Sequence, residues 1–234
     1  GQTREGVLTV RVGDSQQQVR IVPTHRPSLK NLTASLQLPA YLKYPTLEEP
    51  IRSGSLTLLE GSQVTLRGAA NRPLATAAMQ IDGQTQTTLR IEGQTFQTAA
   101  LTFDGRPTAS FTWRDTLGLD SGAAWPLTIK TVKDFAPRID LPGLSSETAI
   151  LESDILPIKM AGEDDYGVRE VGLRWELVGV VDAAGRPILR EFNFGGSSPQ
   201  RKKAEETYLL SPSLQGIPAD SILEVRGLAV DYFP

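Results

Sequence analysis

Hydrophobic and polar residues alternate with a period of two along much of the chain. Leucine, valine, phenylalanine or tryptophan alternates with threonine, glutamine or arginine at 7–12, 63–68, 111–114 and 127–130. This period places the apolar side chains on one face of each segment, as in half-buried antiparallel strands. We therefore predict strands, with no helical stripe of comparable length.

Turn signals divide the segment 74–114 into short pieces. Three pairs of an acidic residue and a glycine occur there: Asp82-Gly83, Glu92-Gly93 and Asp104-Gly105. Asp-Gly favours a tight hairpin because both turn residues tolerate positive φ. The spacing predicts four consecutive strands, at 74–81, 85–91, 95–103 and 108–114. Short strands with turns at intervals of about 8–12 residues are typical of a β-sandwich.

The chain also contains an internal repeat of roughly one hundred residues. Segment 22–29 aligns with 132–139, and in each a proline, Pro27 or Pro137, follows a strand and precedes a new alternating run. Segment 60–69 likewise parallels 152–161. A strand that ends in aspartate recurs at Asp14, Asp115 and Asp231. A period of this length indicates tandem units.

These patterns predict an all-β fold of tandem immunoglobulin-like antiparallel β-sandwiches joined by a short Pro-containing linker. Residues 1–22 are predicted to be the terminal hairpin of a preceding unit. Residues 23–134 are predicted to form one immunoglobulin-like β-sandwich, and residues 135–234 a second one whose final strand is missing. The chain begins with Gly1 rather than Met, and we interpret it as a piece of a longer protein.

The amino-acid composition excludes several classes of functional site. The chain has no cysteine and a single histidine, His25, which excludes disulfides, thiolate nucleophiles and multi-histidine metal sites. The net charge is −3, whereas a nucleic-acid-binding surface is usually strongly basic. Residues 1–136 carry 14 basic and 11 acidic groups, and residues 137–234 carry 10 and 16. No run approaches the roughly 18–20 apolar residues that span a bilayer.

No residue pattern predicts catalysis. His25 lies in a predicted linker, a poor place to hold a base, and no nucleophile elbow is present. Trp113 and Trp175 fall on apolar faces and are predicted to lie in the core, whereas Trp125 is predicted to be exposed. The acidic pairs Glu48-Glu49 and Glu205-Glu206 resemble solvated surface. We therefore assign no catalytic, cofactor-binding or metal-binding residue and expect no cofactor.

One acidic group leaves two interpretations open. Glu163, Asp164 and Asp165 are consecutive, Asp134 lies in the predicted linker, and Glu152 and Asp154 precede the strand that leads to them. Carboxylate oxygens are the ligands that Ca²⁺ prefers, so Asp134, Glu152, Asp164 and Asp165 are candidate calcium ligands. The alternative, which the pattern favours, is a polar turn in which aspartates cap backbone amides and Gly167 adopts positive φ.

Two motifs resemble those of a known family. Segment 36–45 contains Pro39-Ala40-Tyr41 and precedes Gly61-Ser62-Gln63-Val64-Thr65-Leu66. Segment 161–171 contains Asp164-Asp165-Tyr166-Gly167. Both are similar to elements of an uncharacterised family of large bacterial membrane-anchored proteins. The resemblance implies extracytoplasmic immunoglobulin-like tandem domains and no known enzymatic activity.

The function predicted is a non-catalytic structural or protein-interaction region, on the periplasmic side of a bacterial inner membrane. Membrane attachment would lie outside this chain, and we expect a protein partner but no nucleic acid. The missing final strand predicts an exposed edge that pairs with another chain, for example with a hairpin like 7–22. Two alternatives are a carbohydrate-binding sandwich and a calcium-stiffened adhesin-like module.

Overall fold

The computed structural model of the chain describes residues 5–195 and 200–233. Strands make up nearly all the regular structure of this part, and they form five sheets. Besides the strands there is one 3-10 turn, Ala40–Leu42, and one short helix, α1 at Pro212–Gln215. The all-β fold class predicted from the alternating pattern is confirmed.

The first twelve strands comprise an isolated hairpin and one complete sandwich. Their bounds are β1 Gly6–Val12, β2 Ser15–Ile21, β3 Leu29–Gln37, β4 Leu47–Pro50, β5 Ser55–Leu59, β6 Gln63–Ala70, β7 Leu74–Ile81, β8 Thr87–Thr88, β9 Arg90–Glu92, β10 Thr95–Gln97, β11 Thr108–Asp115 and β12 Trp125–Val132. One sheet of the sandwich has the order β4-β3-β6-β10-β9, and the other has the order β5-β12-β11-β7-β8.

The core of the first sandwich lies between these two sheets. In β6, Val64 and Leu66 are fully buried while Thr65 between them is half-buried, as the period of two requires. Phe96 of β10 stacks on Phe111 and Trp113 of β11 at ring-centroid distances of 5.8 and 6.0 Å. Burying such side chains contributes roughly 1.5–3 kcal/mol each.

The connections within 74–114 differ from the predicted run of consecutive strands. Strand β7 matches the prediction, but 85–91 is divided into β8 and β9, and 95–103 is a strand only as far as Gln97. The turn at Asp82-Gly83 joins β7 to β8, with both residues at positive φ. Asp104-Gly105 is not a hairpin turn, because β10 and β11 lie in different sheets. The chain therefore crosses between sheets where the local turn signal predicted a hairpin.

One strand pair in the first sandwich is parallel. Strand β12 pairs with β5 in parallel register, from Thr128 opposite Ser55 to Val132 opposite Leu59. All the other strand pairs described here are antiparallel. Turn signals do not identify such a pairing, because its partners lie about seventy residues apart along the chain.

The second sandwich contains six strands: β13 Arg138–Asp140, β14 Leu156–Glu163, β15 Val168–Val181, β16 Pro187–Gly195, β17 Lys203–Leu210 and β18 Leu223–Asp231. They form two sheets of three strands, with the orders β13-β14-β17 and β16-β15-β18. Its core includes Ile158, Trp175 and Tyr208, one from each of β14, β15 and β17.

The strand orders of the two sandwiches correspond. The order β13-β14-β17 matches β3-β6-β10, and β18-β15-β16 matches β11-β7-β8. In the first sandwich β11 pairs with β12 on its outer side. Strand β18 pairs with β15 alone among the described strands, so its other edge is unpaired.

The hairpin of β1 and β2 stands apart from both sandwiches. The two strands pair along their whole length, from Gly6 opposite Ile21 to Val12 opposite Ser15. Their apolar side chains are largely exposed; Val7 is 61% and Val12 75% accessible to solvent. An isolated two-stranded hairpin is only marginally stable in water, so this one lacks the support that a sandwich provides.

Segment 22–28, between this hairpin and β3, is held against the first sandwich. Arg72 donates to Thr24 Oγ1 at 2.8 Å and to the His25 carbonyl at 2.7 Å. The Trp113 indole N–H donates to the Pro27 carbonyl at 3.1 Å, and Pro27 is buried. This Pro-containing segment is therefore a docked connection.

Candidate functional site

Three carboxylates meet where the first sandwich is joined to the second. Asp134 lies in the linker between β12 and β13, and Asp164 and Asp165 lie in the turn between β14 and β15. Carboxylate oxygens of these three residues lie within 4.8 Å of one another. We call Asp134, Asp164 and Asp165 the junction carboxylates. The structure thus brings together three of the four residues proposed from the sequence as calcium ligands.

Glu152 does not join them, and neither does Asp154. Both residues precede β14, whereas Asp164 follows it, and a strand of eight residues is roughly 26 Å long. Asp154 instead accepts the Leu151 N–H at 2.8 Å. Glu163 also faces elsewhere and forms an exposed ion pair with Lys203. Glu152, a candidate calcium ligand in one of the two interpretations left open by the sequence, therefore lies apart from the junction carboxylates.

The two carboxylate oxygens of Asp164 have different surroundings. Oδ2 accepts the backbone N–H groups of Tyr166 and Gly167, at 2.9 and 2.6 Å, and Gly167 has φ 152°. This is the capped polar turn predicted from the sequence. Oδ1, however, is buried and has no hydrogen-bond partner, in a residue that is only 7% exposed.

Asp134 shows the same division. Its Oδ2 accepts a hydrogen bond from the Tyr41 hydroxyl at 3.0 Å, while its Oδ1 is buried without a partner. Buried polar atoms without partners are uncommon in proteins, and a charged one is more costly than a neutral one. Two such oxygens in one cluster indicate a site that can accept a positively charged group or a hydrogen-bond donor.

Within the described residues, no lysine, arginine or histidine nitrogen forms an ion pair with the junction carboxylates. Burial raises the pKa of Asp134, the hydrogen bond from Tyr41 opposes this effect, and the charges of the nearby aspartates raise the pKa further. Two full charges at 4.8 Å repel by roughly 3 kcal/mol at an effective dielectric constant of about 20.

Asp165 is the most accessible of the three. Partial loss of hydration raises its pKa first, and the charge of Asp164 adds to this effect. A hydrogen bond at the residue's own backbone lowers the pKa, as do the charge of Lys202 and a hydrogen bond with the Asp134 side chain. The cluster therefore opens to solvent on the side of Asp165 and is closed on the side of Asp164.

Two tyrosines of the first sandwich reach across the junction. The Tyr44 hydroxyl donates to the Tyr166 carbonyl at 2.8 Å, and the two rings meet edge to face at 6.3 Å. The Tyr41 ring meets Phe233 in the same manner at 5.5 Å. Burial is the first cause that raises the pKa of Tyr44, followed by the charges of Asp164 and Asp165, so its hydroxyl remains a protonated donor.

A hydrogen bond from Gln200 Nε2 to the Lys43 carbonyl, at 3.1 Å, adds a further link between the sandwiches. Segment 39–45 follows β3. It contacts the turn of 164–167, which lies more than one hundred residues later in the sequence. The two motifs that carry the family resemblance therefore meet in space. Tyr41 and Tyr44 were not predicted to be site residues, although both lie in a segment that carries the family resemblance.

The other candidates are dispersed. His25 is exposed in segment 22–28. Trp113 and Trp175 are 6% and 1% exposed, so the prediction that they lie in the core is confirmed and neither offers a face for sugar stacking. Trp125 is half-buried and packs against Phe111, which corrects the expectation that it is exposed. The glycine-rich, basic segment 195–203, predicted from the sequence to be an exposed loop, lies partly outside the described residues.

No protein-family model matches the sequence, so the family resemblance of the two motifs is not confirmed, and a search of curated proteins finds no match. Among solved structures, the chain is similar to the extracellular domain of the Bacteroides thetaiotaomicron protein BT4673, with 13% identity and a TM-score of 0.30 over 47% of this chain and 16% of that one. The fibronectin(III)-like modules of Clostridium thermocellum CbhA give 11% identity and a TM-score of 0.30, over 66% of this chain and 87% of theirs.

A third similar structure is the Bacteroides ovatus protein SGBP-B, solved with a mixed-linkage heptasaccharide, at 12% identity and a TM-score of 0.24, over 97% of this chain and 63% of that one. With TM-scores of 0.30 and below, none of these proteins indicates what this chain binds. The all-β fold described above follows from the pairing of its own strands. Within residues 5–195 and 200–233, no helix is long and apolar enough to cross a membrane.

Proposed function

We propose that this chain is a non-catalytic, extracytoplasmic spacer and protein-interaction region of a larger membrane-anchored bacterial protein. The observation that carries the proposal is the junction, where segment 39–45 of the first sandwich contacts the turn 164–167 of the second. A spacer requires successive units to keep a defined orientation. Tyr44, which donates to the Tyr166 carbonyl and packs against its ring, provides such a contact.

The extracytoplasmic location rests on the family resemblance of the two motifs and is tested in cells. In spheroplasts of a bacterium that expresses the whole protein, protease added outside should digest this region while a cytoplasmic marker survives. Protection of this region until the membrane is lysed would contradict the location.

The interaction role has a specific candidate surface, the unpaired edge of β18. Unpaired N–H and C=O groups along a strand form a template for pairing with another chain. The equivalent strand of the first sandwich, β11, has β12 at this position. The hairpin of β1 and β2 in a second copy offers exposed strands with apolar side chains, and we propose that it pairs with this edge.

Light scattering tests this pairing at the level of the whole chain. We expect a concentration-dependent dimer that is weakened by Leu228→Lys in β18 and unaffected by Leu209→Lys, which changes an exposed leucine of β17. A chain that remains monomeric at high concentration would contradict self-association through this edge.

A further inference from the structure

We propose that the junction carboxylates bind one calcium ion. Asp134, Asp164 and Asp165 place oxygens within 4.8 Å of one another. The separate observation that points to a ligand is the buried Oδ1 of Asp164, which has no hydrogen-bond partner in a residue 7% exposed. The buried Oδ1 of Asp134 is in the same condition.

The spacing suits a calcium ion. Calcium–oxygen bonds are about 2.3–2.6 Å long, so ligands on opposite sides of the ion lie roughly 4.6–5.2 Å apart. Three oxygens within 4.8 Å of one another therefore fit around a single ion. Calcium takes about six to eight oxygens in flexible geometry, and water would complete the set on the exposed side of Asp165.

The existing hydrogen bonds leave one oxygen of Asp134 and one of Asp164 without a partner. Oδ2 of Asp164 is occupied by the Tyr166 and Gly167 N–H groups, and Oδ2 of Asp134 by the Tyr41 hydroxyl. These bonds orient both carboxylates and leave each Oδ1 free. A cation would satisfy both buried oxygens and neutralise the repulsion among the three charges.

The position of the site gives binding a mechanical consequence. Asp134 belongs to the linker and is tied to the first sandwich through Tyr41, whereas Asp164 and Asp165 belong to the second sandwich. One ion would thus tie the linker to both sandwiches. This stiffening rests on the proposed spacer function, but the cation site itself rests on the carboxylates alone.

The test is a calcium titration of the whole 234-residue chain after treatment with EDTA, followed by calorimetry and thermal unfolding. We expect a dissociation constant of about 10⁻⁴–10⁻³ M, the range of extracellular modules. Calcium at about ten times that concentration should raise Tm by roughly 3–6 °C. Magnesium at the same concentration, and sodium at the same ionic strength, should raise it less.

Two variants locate the site. Asp164→Asn keeps an oxygen for the Tyr166 and Gly167 N–H groups but removes the charge, and it should weaken calcium binding at least tenfold. Glu152→Gln removes an exposed carboxylate beyond the other end of β14 and should leave binding unchanged. Absence of binding up to about 10 mM calcium, an equal response to magnesium, or undiminished binding by Asp164→Asn would overturn the proposal.

Failure of the spacer function has a different signature. If calcium binds as expected but the two sandwiches remain independently oriented in solution, the cation site stands and the stiffening is wrong. If calcium does not bind but the sandwiches share one orientation, the site is wrong and the spacer function stands on the tyrosine contacts.

Discussion

At the scale of single residues, Asp164 combines a structural and a chemical role in one side chain. The polar-turn interpretation predicted from the sequence describes its Oδ2 correctly. The proximity of Asp164 to Asp134 could not be predicted, because the two residues are distant along the chain. Sequence proximity identifies the turn, and only the fold identifies the cluster.

The two roles of Asp164 separate on substitution. With EDTA present, Asp164→Asn should keep at least the wild-type free energy of unfolding, because the turn is kept and one of three repelling charges is removed. Asp164→Ala loses the acceptor for two backbone N–H groups and should cost about 1–2 kcal/mol of unfolding free energy. Urea denaturation measures both. Equal destabilisation by the two variants would contradict this division of roles.

Gly68 shows how closely the first sandwich is packed. An ideal Cβ on this residue would lie 2.1 Å from Cζ of Phe96, the ring that stacks on Phe111 and Trp113. Gly68→Ala should therefore displace the ring and lower the unfolding free energy by about 1–3 kcal/mol. Urea denaturation followed by tryptophan fluorescence provides the measurement.

A second strand glycine supplies the control. A Cβ on Gly195 would lie 3.8 Å from Glu170 Cγ, an ordinary contact. Gly195→Ala should accordingly change stability by less than about 0.5 kcal/mol. If the two alanine variants behave alike, the close approach at Phe96 does not matter for stability.

At the scale of strands, the alternation of hydrophobic and polar residues predicted where strands lie better than the turn signals predicted which strands pair. Strand β7 has the predicted bounds, and the Asp82-Gly83 turn connects it to β8. The Asp104-Gly105 turn failed as a hairpin signal because glycine at positive φ serves a crossing between sheets as readily as a hairpin. Local chemistry sets the turn, whereas burial of the whole sheet sets which strands pair.

The hairpin of β1 and β2 is predicted to contribute little to the stability of the sandwiches. Its apolar side chains are mostly exposed and its strands pair only with each other among the described strands. A chain that begins at residue 23 should therefore keep the wild-type Tm to within about 1 °C. Differential scanning calorimetry of the two chains at low concentration makes the comparison. A much lower Tm for the shorter chain would assign the hairpin to the first sandwich.

At the scale of the whole molecule, the junction determines what the tandem arrangement can do. Among the described residues, the contacts across it include two edge-to-face ring pairs, a tyrosine hydrogen bond and the Gln200 hydrogen bond. Interfaces between domains of one chain are commonly modest, and relative motion is the ordinary expectation. A cation bound by the three carboxylates would therefore restrict this motion and make the two sandwiches a semi-rigid spacer.

The sequence identified individual segments of the junction but did not predict that they lie together. The motifs at 39–41 and 164–167 stood out separately, and Asp134 was recognised as a linker acid. Their convergence could not be predicted, because Tyr44 and Tyr166 are 122 residues apart and their contact depends on the geometry of both sandwiches. The alternation of hydrophobic and polar residues identifies strands, but it contains no information about a contact between the ends of two sandwiches.

The central claim, that the junction holds the two sandwiches as one spacer, is tested most directly by residual dipolar couplings of the whole chain at saturating calcium. We predict that the couplings of 29–132 and of 138–231 fit a single alignment tensor, and that Tyr44→Ala combined with Asp164→Asn separates them into two. Two independent tensors for the wild-type chain under the same conditions would contradict the account.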